Sequence, residues 1–179
     1  MVMCRMLQVV YTEMGQKAII CGDTVWLELN NGWTKFNTCH FDTVGSRFWH
    51  IDSSGYAVSA KGKDRPFVLM HKIMCDHTEF VDHANRVRND NMDSNLRPAN
   101  RSENNRNCGR RKDNTTGFKG VSWHRSVGKF TSRIWKNGKR VHLGVFDTAQ
   151  DASAAYKAAA KDEYGAFFSE GEVLKEESW

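Results

Sequence analysis

Apolar and polar positions alternate in two stretches of the first third of the chain. In TVWLELNNGW, Thr24–Trp33, the side chains of Val25, Leu27 and Leu29 fall on one side before an Asn-Asn-Gly turn. FWHIDSSGYAVSA, Phe48–Ala60, repeats the pattern around Ser-Ser-Gly. A period of two bounded by turn residues is that of half-buried strands, so residues 17–60 are expected to be short strands. FVLMHKIM, Phe67–Met74, is the most apolar short run and is expected to be packed. The pattern then fails. In VDHANRVRNDNMDSNLRPANRSENN, Val81–Asn105, the clearly apolar side chains after Val81 are Val87, Met92 and Leu96, beside alanines and one proline. This segment buries little, yet it carries an Asp82–His83 pair and asparagine at almost every third or fourth position.

Regular patterning returns in the last third. GVSWHRS, GKFTSRIWK and KRVHLGVF are three strand candidates, and Asn137-Gly138 supplies a hairpin turn between the second and third. DTAQDASAAYKAAAKDEYG then switches to a helical period. Thr148 is its N-cap, with Asp151 in the place of the capping-box acid, and Gly165 is its stop. Ala152, Ala155, Tyr156 and Ala159 make one face, small enough for close packing on a sheet. The prediction is a three-stranded antiparallel sheet covered on one side by one helix. Strand alternation turns Phe130, Ser132 and Ile134 to the helix and Thr131, Arg133 and Trp135 away from it. On the third strand Val141 and Leu143 point in and Arg140 and His142 point out.

Composition sets the outer limits. With 179 residues, 40% apolar and 11% aromatic, the chain can form a core, or two small domains. No apolar run of about 18 residues predicts a membrane span, and the first residues lack the pattern of a secretory signal. Five widely spread cysteines, none in a C-x-x-C pair, point to reduced thiols in a cytoplasmic protein. A zinc site from Cys39, Cys75, His77 and Cys108 is disfavoured, because no ligand spacing supports it. Net charge is +5, and its distribution says more than its size. From Asn114 to Phe146 there are seven basic residues and no acidic one; from Asp147 to Trp179 there are three basic and eight acidic. A run of one sign interleaved with Trp123, Phe130 and Trp135 favours a polyanionic partner.

The last third resembles the apetala-two (ERF-type) DNA-binding domain. The matching pieces are Phe118-Lys119-Gly120-Val121, Gly128-Lys129-Phe130, Leu143-Gly144-Val145-Phe146 with Asp147-Thr148, and the Ala-Ala-Tyr of the helix. That family lays its sheet in the major groove of double-stranded DNA. The resemblance implies DNA-binding roles for Lys119, Trp123, Arg125, Arg133, Trp135, Arg140 and His142. Ser122 departs from the usual arginine, and the Trp123–Val127 loop differs in length.

The polar segment resembles the HNH nuclease motif of phage and mobile-element (homing-type) endonucleases. The pieces are His71-Lys72, Val81-Asp82-His83, Asp90-Asn91, Asn95-Leu96-Arg97 and Asn104-Asn105, with a looser match at Gly55-Tyr56-Ala57. The resemblance implies a divalent-metal-dependent DNA endonuclease in a phage-infected bacterial host. His83 would be the general base and Asn95 would hold its ring by a hydrogen bond. Asp82 and Asn104 would hold one Mg²⁺ or Mn²⁺ ion, and a short helix capped by Ser102 would present Asn104. His71 would be a structural residue packed beneath the motif, and Arg97, Arg101 and Arg106 are candidate phosphate contacts. No small-molecule cofactor is expected, and the oligomeric state stays open.

The expected fold class is α+β. A β-rich unit (1–65) precedes a ββα-metal (HNH, His-Me finger) nuclease module (66–108), a basic linker (109–116), a three-stranded antiparallel sheet packed on one helix (117–168) and an acidic tail (169–179). The competing reading is a sequence-specific DNA-binding regulator with an inactive HNH motif. A zinc-stabilised interaction domain is the weakest.

Overall fold

The computed structural model describes residues 7–59, 67–75 and 80–170. Cys4, His77 and most of the acidic tail lie outside them. The fold is mixed α and β, mostly β. The chain divides into two compact units, one ending at Asn100 and one beginning at Arg101. The boundaries therefore differ from those expected at residues 65 and 109–116.

The first unit opens with an antiparallel meander: β1 (Gln8–Tyr11), β2 (Lys17–Cys21), β3 (Thr24–Leu29) and β4 (Gly32–Asn37). Leu29 pairs with Gly32, so Asn30-Asn31 make the turn read from the sequence. The alternation of β3 buries Val25, Leu27 and Leu29 and leaves Glu28 exposed. A 3-10 turn (Thr38–His40) leads into α1 (Phe41–Gly45). A second small sheet follows, from β5 (Trp49–Ile51), β6 (Ala57–Ser59) and β7 (Val68–Leu69), and runs into α2 (Met70–Met74). Then come β8 (Phe80–His83), β9 (Asp90–Asn91) and β10 (Leu96–Ala99). β8 and β10 pair antiparallel.

One strand pairing joins the polar segment to the N-terminal strands and the core they build. β9 lies parallel to β4, with Lys35 opposite Asp90 and Phe36 opposite Asn91, and completes a five-stranded sheet. One core contains Val25, Leu27, Phe36, Val44 and Trp49 together with Met70 of the apolar run. Each fully buried side chain of this size contributes about 1.5–3 kcal/mol. The polar segment therefore needs little core of its own, because it is held on one that the N-terminal strands supply.

The second unit contains α3 (Arg101–Asn107), β11 (Val121–His124), β12 (Lys129–Lys136), β13 (Lys139–Phe146) and α4 (Ala149–Tyr164). Its antiparallel sheet runs β11-β12-β13, as predicted. Asn137 and Gly138 both have positive φ, 49° and 72°, as a tight hairpin turn of the primed type demands. Thr148 Oγ1 accepts from Asp151 N at 3.1 Å and donates to Asp151 Oδ2 at 2.6 Å, and Gly165 closes the helix. The buried stripe of α4 is Ala152, Ser153, Tyr156, Ala160 and Tyr164. Ile134, with Leu143 beside it, packs against Tyr156, Ala160 and Tyr164. Gly120 makes this approach possible: a Cβ there would lie 2.1 Å from the Tyr156 ring. Ser102 falls inside the first turn of α3 and so is not its cap.

Candidate nucleic-acid interface and hydrolytic centre

The outer face of the C-terminal sheet follows from strand register. Arg133 pairs with His142 and Trp135 with Arg140, so these four side chains share the face opposite Ile134 and Val141. The register slips between Ser132 and Arg133, where β13 carries Leu143 as an extra residue. This bulge lets Leu143 join the core while His142 and Arg140 keep to the outer face. Trp135 is 56% exposed, and the Arg140 guanidinium lies 5.6 Å from its ring centroid. Arg140, His142 and Arg125, the last in the β11–β12 turn, are exposed.

Three expectations change here. Thr131 lies on the outward side by alternation but is buried, with its hydroxyl 3.0 Å from Ser122 Oγ. Trp123 sits opposite Phe130, with ring centroids 4.8 Å apart. That places it on the Ser132–Ile134 side of the sheet, away from Arg133. Lys119 Nζ donates to the carbonyls of Arg106 and Cys108 at 2.7 and 2.6 Å. It thereby serves the C-terminal end of α3, where a cation complements unpaired carbonyls.

In the first unit, His83 ends β8 and is buried, 4% exposed. Its Nε2 lies 3.2 Å from Asn91 Oδ1. The Asn91 amide nitrogen donates to Thr34 Oγ1 at 2.9 Å, and the Thr34 hydroxyl donates to the Asn89 carbonyl at 2.8 Å. Thr34 has a single proton and uses it on Asn89, so it must accept from Asn91. The amide oxygen of Asn91 is thereby turned to the ring. An oxygen only accepts, so Nε2 carries the ring proton and Nδ1 is the basic nitrogen. Burial is the largest influence on His83 and pulls its pKa below the ordinary value, against the opposing pull of Asn91 and of the Asp82 and Asp90 charges. The ring is neutral near pH 7.

Two further rings pack on it. His71 meets His83 edge-on at 5.0 Å, and Tyr56 stands 5.5 Å from His71 and 5.8 Å from His83. Burial, reinforced by His83 and Lys72, lowers the pKa of His71 to about 4.

Asp82 is also 4% exposed, and Arg97 stands opposite it in register. Arg97 Nε and Nη2 approach Asp82 Oδ2 at 2.8 and 2.6 Å. Arg97 is thus engaged with the carboxylate and not presented as a phosphate contact. Asn95 does not bond the His83 ring, contrary to expectation. It accepts from Asn85 N at 2.9 Å and donates to the Asp90 carbonyl at 2.7 Å, bracing the loop between β8 and β10. Asn91 reaches the ring instead, because β9 is seated on β4. Asp90 is buried between Lys35 Nζ at 3.0 Å and Asn85 Nδ2 at 2.7 Å. The structure brings Asp82, His83 and Asn95 together in one unit, while Asn104 stands half-buried on α3 in the other. Sequence reasoning assigned no role to Asn91 or Thr34. The Asp90-Asn91 pair lay within the quoted motif, but nothing local to Thr34 signalled its part.

The remaining candidates are dispersed. Arg106 stacks over the Tyr164 ring at 4.9 Å, and Arg101 is exposed at the start of α3. Cys21, Cys39, Cys75 and Cys108 are free thiols. Among the described residues no helix is long and apolar enough to cross a membrane.

A stretch of 43 residues, 24% of the chain, is 49% identical to APETALA2-like protein 2 of Oryza sativa, in both the indica and japonica subspecies. An equal stretch is 49% identical to the AP2-like ethylene-responsive transcription factor TOE2 of Arabidopsis thaliana. The chain spans about a tenth of the length of these relatives, 10% and 9%. No protein-family model and no solved structure matches the chain. The relatives support an apetala-two/ERF-type domain and do not bear on the Asp82–His83 segment.

Proposed function

We propose that the chain binds double-stranded DNA through the outer face of the C-terminal sheet, and that its first unit hydrolyses a phosphodiester bond of the bound duplex. The observation that carries the binding half is the Arg133, Trp135, Arg140 and His142 constellation on one face of a sheet backed by α4. Guanidinium groups suit phosphates and guanine edges, and an exposed indole suits apolar base contacts. The relatives named as AP2-like proteins and a transcription factor support this half.

The hydrolytic half rests on His83. In a neutral imidazole whose Nε2 proton is turned to Asn91, Nδ1 is the basic nitrogen and the atom that would take a proton from water. The buried Asn91–Thr34 relay holds that tautomer, and Asn95 keeps the loop that carries Asn91 in shape. Within the first unit the Asp82 carboxylate is the oxygen donor that would suit a hard divalent cation, Mg²⁺ or Mn²⁺, with phosphate and water oxygens completing its shell. When bound, the ion would neutralise charge on the phosphate. Arg97 pairs with the Asp82 carboxylate and fixes its orientation.

The relatives favour a second reading, a DNA-binding regulator whose Asp82–His83 segment is catalytically silent. One experiment separates the two. The full chain is incubated with supercoiled plasmid carrying a sequence it binds in a gel shift, with Mg²⁺ or Mn²⁺, with EDTA, and as His83→Ala. Metal-dependent nicking or linearisation that disappears in His83→Ala supports hydrolysis. Binding without cleavage in either metal leaves the regulator. Absence of binding to any duplex overturns both.

A further inference from the structure

The turn after β4 and the loop between β9 and β10 bring three chemically different donors together. Cys39 Sγ, His40 and Asp93 offer ligand atoms that all lie within 4.8 Å of one another. His40 Nε2 is 2.8 Å from Asp93 Oδ1, and Cys39 Sγ is 3.9 Å from Asp93 Oδ2. The two segments are already docked, since Asp93 N donates to Asn37 Oδ1 at 2.9 Å. Ligands bound at about 2.0–2.3 Å to a tetrahedral ion stand roughly 3.5 Å apart, so small side-chain adjustments would close this set on a common centre.

We propose that Cys39, His40 and Asp93 form a binding site for a zinc-class transition-metal ion. A thiolate, an imidazole and a carboxylate are the donor types zinc takes, whereas magnesium and calcium prefer oxygen alone. Cys39 and Asp93 are exposed, which leaves the ion a path of entry. This is not the spacing considered from sequence, in which Cys108 was a member and His40 and Asp93 were not. The set does not include Asp82 or His83, so the inference stands apart from the hydrolytic reading. An ion here would fasten the β4 end to the loop that directly follows Asn91, the partner of His83.

The test uses the full chain, purified without a metal-binding tag and stripped with EDTA. Zinc is returned, unbound metal is dialysed away, and the retained zinc is measured by atomic emission. Cobalt is added to a second sample and its absorption recorded. The expected result is a single retained zinc ion per chain that excess Mg²⁺ does not displace. The cobalt sample should show thiolate-to-metal charge-transfer absorption, and zinc should raise the melting temperature. Cys39→Ser and Asp93→Asn should each weaken zinc binding by about tenfold or more, and Cys39→Ser should abolish the charge-transfer band. Failure of the wild type to retain zinc overturns the site, as does cobalt binding without a thiolate band. Unchanged retention in both variants does the same. If Cys39→Ser does not fold, Asp93→Asn and the wild-type cobalt spectrum still decide.

Discussion

Asn91 Oδ1 lies 3.2 Å from His83 Nε2, and this contact decides which nitrogen of a buried imidazole is basic. The orientation of the amide is set by Thr34, whose hydroxyl spends its proton on Asn89. A residue of β4 therefore controls the tautomer of a residue of β8 through one of β9.

Substitution at Asn91 should separate tautomer control from simple packing. Asn91→Leu removes the acceptor and should lower the metal-dependent cleavage rate on the order of 10–100-fold, the range for partners that orient a working group. Asn91→Asp keeps an acceptor but adds a charge that favours the imidazolium. Its acidic limb in a pH–rate profile should move to higher pH. An unmoved limb together with an unchanged rate would remove Asn91 from the mechanism.

His71 makes stability depend on pH in a stated direction. Its pKa falls from an ordinary value near 6.5 to about 4 because burial disfavours the charged ring. Between these values the unfolded chain binds more protons than the folded one, so stability rises with pH. The contribution is complete above about pH 6.5 and is lost as pH falls toward 4. His83, lowered for the same leading reason, adds in the same sense. Thermal melts between pH 7.5 and 4.5 should show a falling midpoint, and His71→Gln should flatten the curve. A midpoint that rises on acidification contradicts the assignment.

The two faces of the C-terminal sheet should respond differently in DNA binding. Arg133→Ala or Arg140→Ala should cost about 1–3 kcal/mol where the arginine meets a base, or lower the salt slope by about one where it meets a phosphate. Lys119→Met should lower the melting temperature while leaving the salt slope nearly unchanged, because its ammonium already serves the end of α3. Gel shifts over a salt series, with melts alongside, read both effects. Loss of slope in Lys119→Met equal to that in Arg133→Ala would return Lys119 to the interface.

Gly120 should tolerate nothing larger. Its φ is 75°, and an added methyl would sit 2.1 Å from Tyr156. Gly120→Ala must shift β11 from α4 or displace a buried ring, at a cost of several kcal/mol by overpacking and backbone strain. Melting of the second unit should drop sharply. A variant as stable as wild type would mean that the sheet and helix do not pack this closely.

The sequence by itself determined the elements whose causes are local. Asn137-Gly138 prefers the positive φ of a hairpin turn, Thr148 and Asp151 satisfy each other at a helix start, and alternation alone sorted Arg133 and Trp135 from Ile134. Even the place of Trp123 opposite Phe130 follows from a register the sequence could have supplied. Only the tertiary structure decided how the polar segment is used. Its amides are chemically alike, and the choice of Asn91 over Asn95 as the partner of His83 depends on which amide is carried to the ring. Thr34 and Asn91 are 57 residues apart and meet because β9 pairs with β4. The same distance-dependence turned Arg97 onto Asp82 and Lys119 onto the end of α3, and gathered Cys39, His40 and Asp93. A hydrogen-bond partner is chosen by proximity within a few tenths of an ångström, and that proximity is a property of the packed chain rather than of its neighbours in sequence.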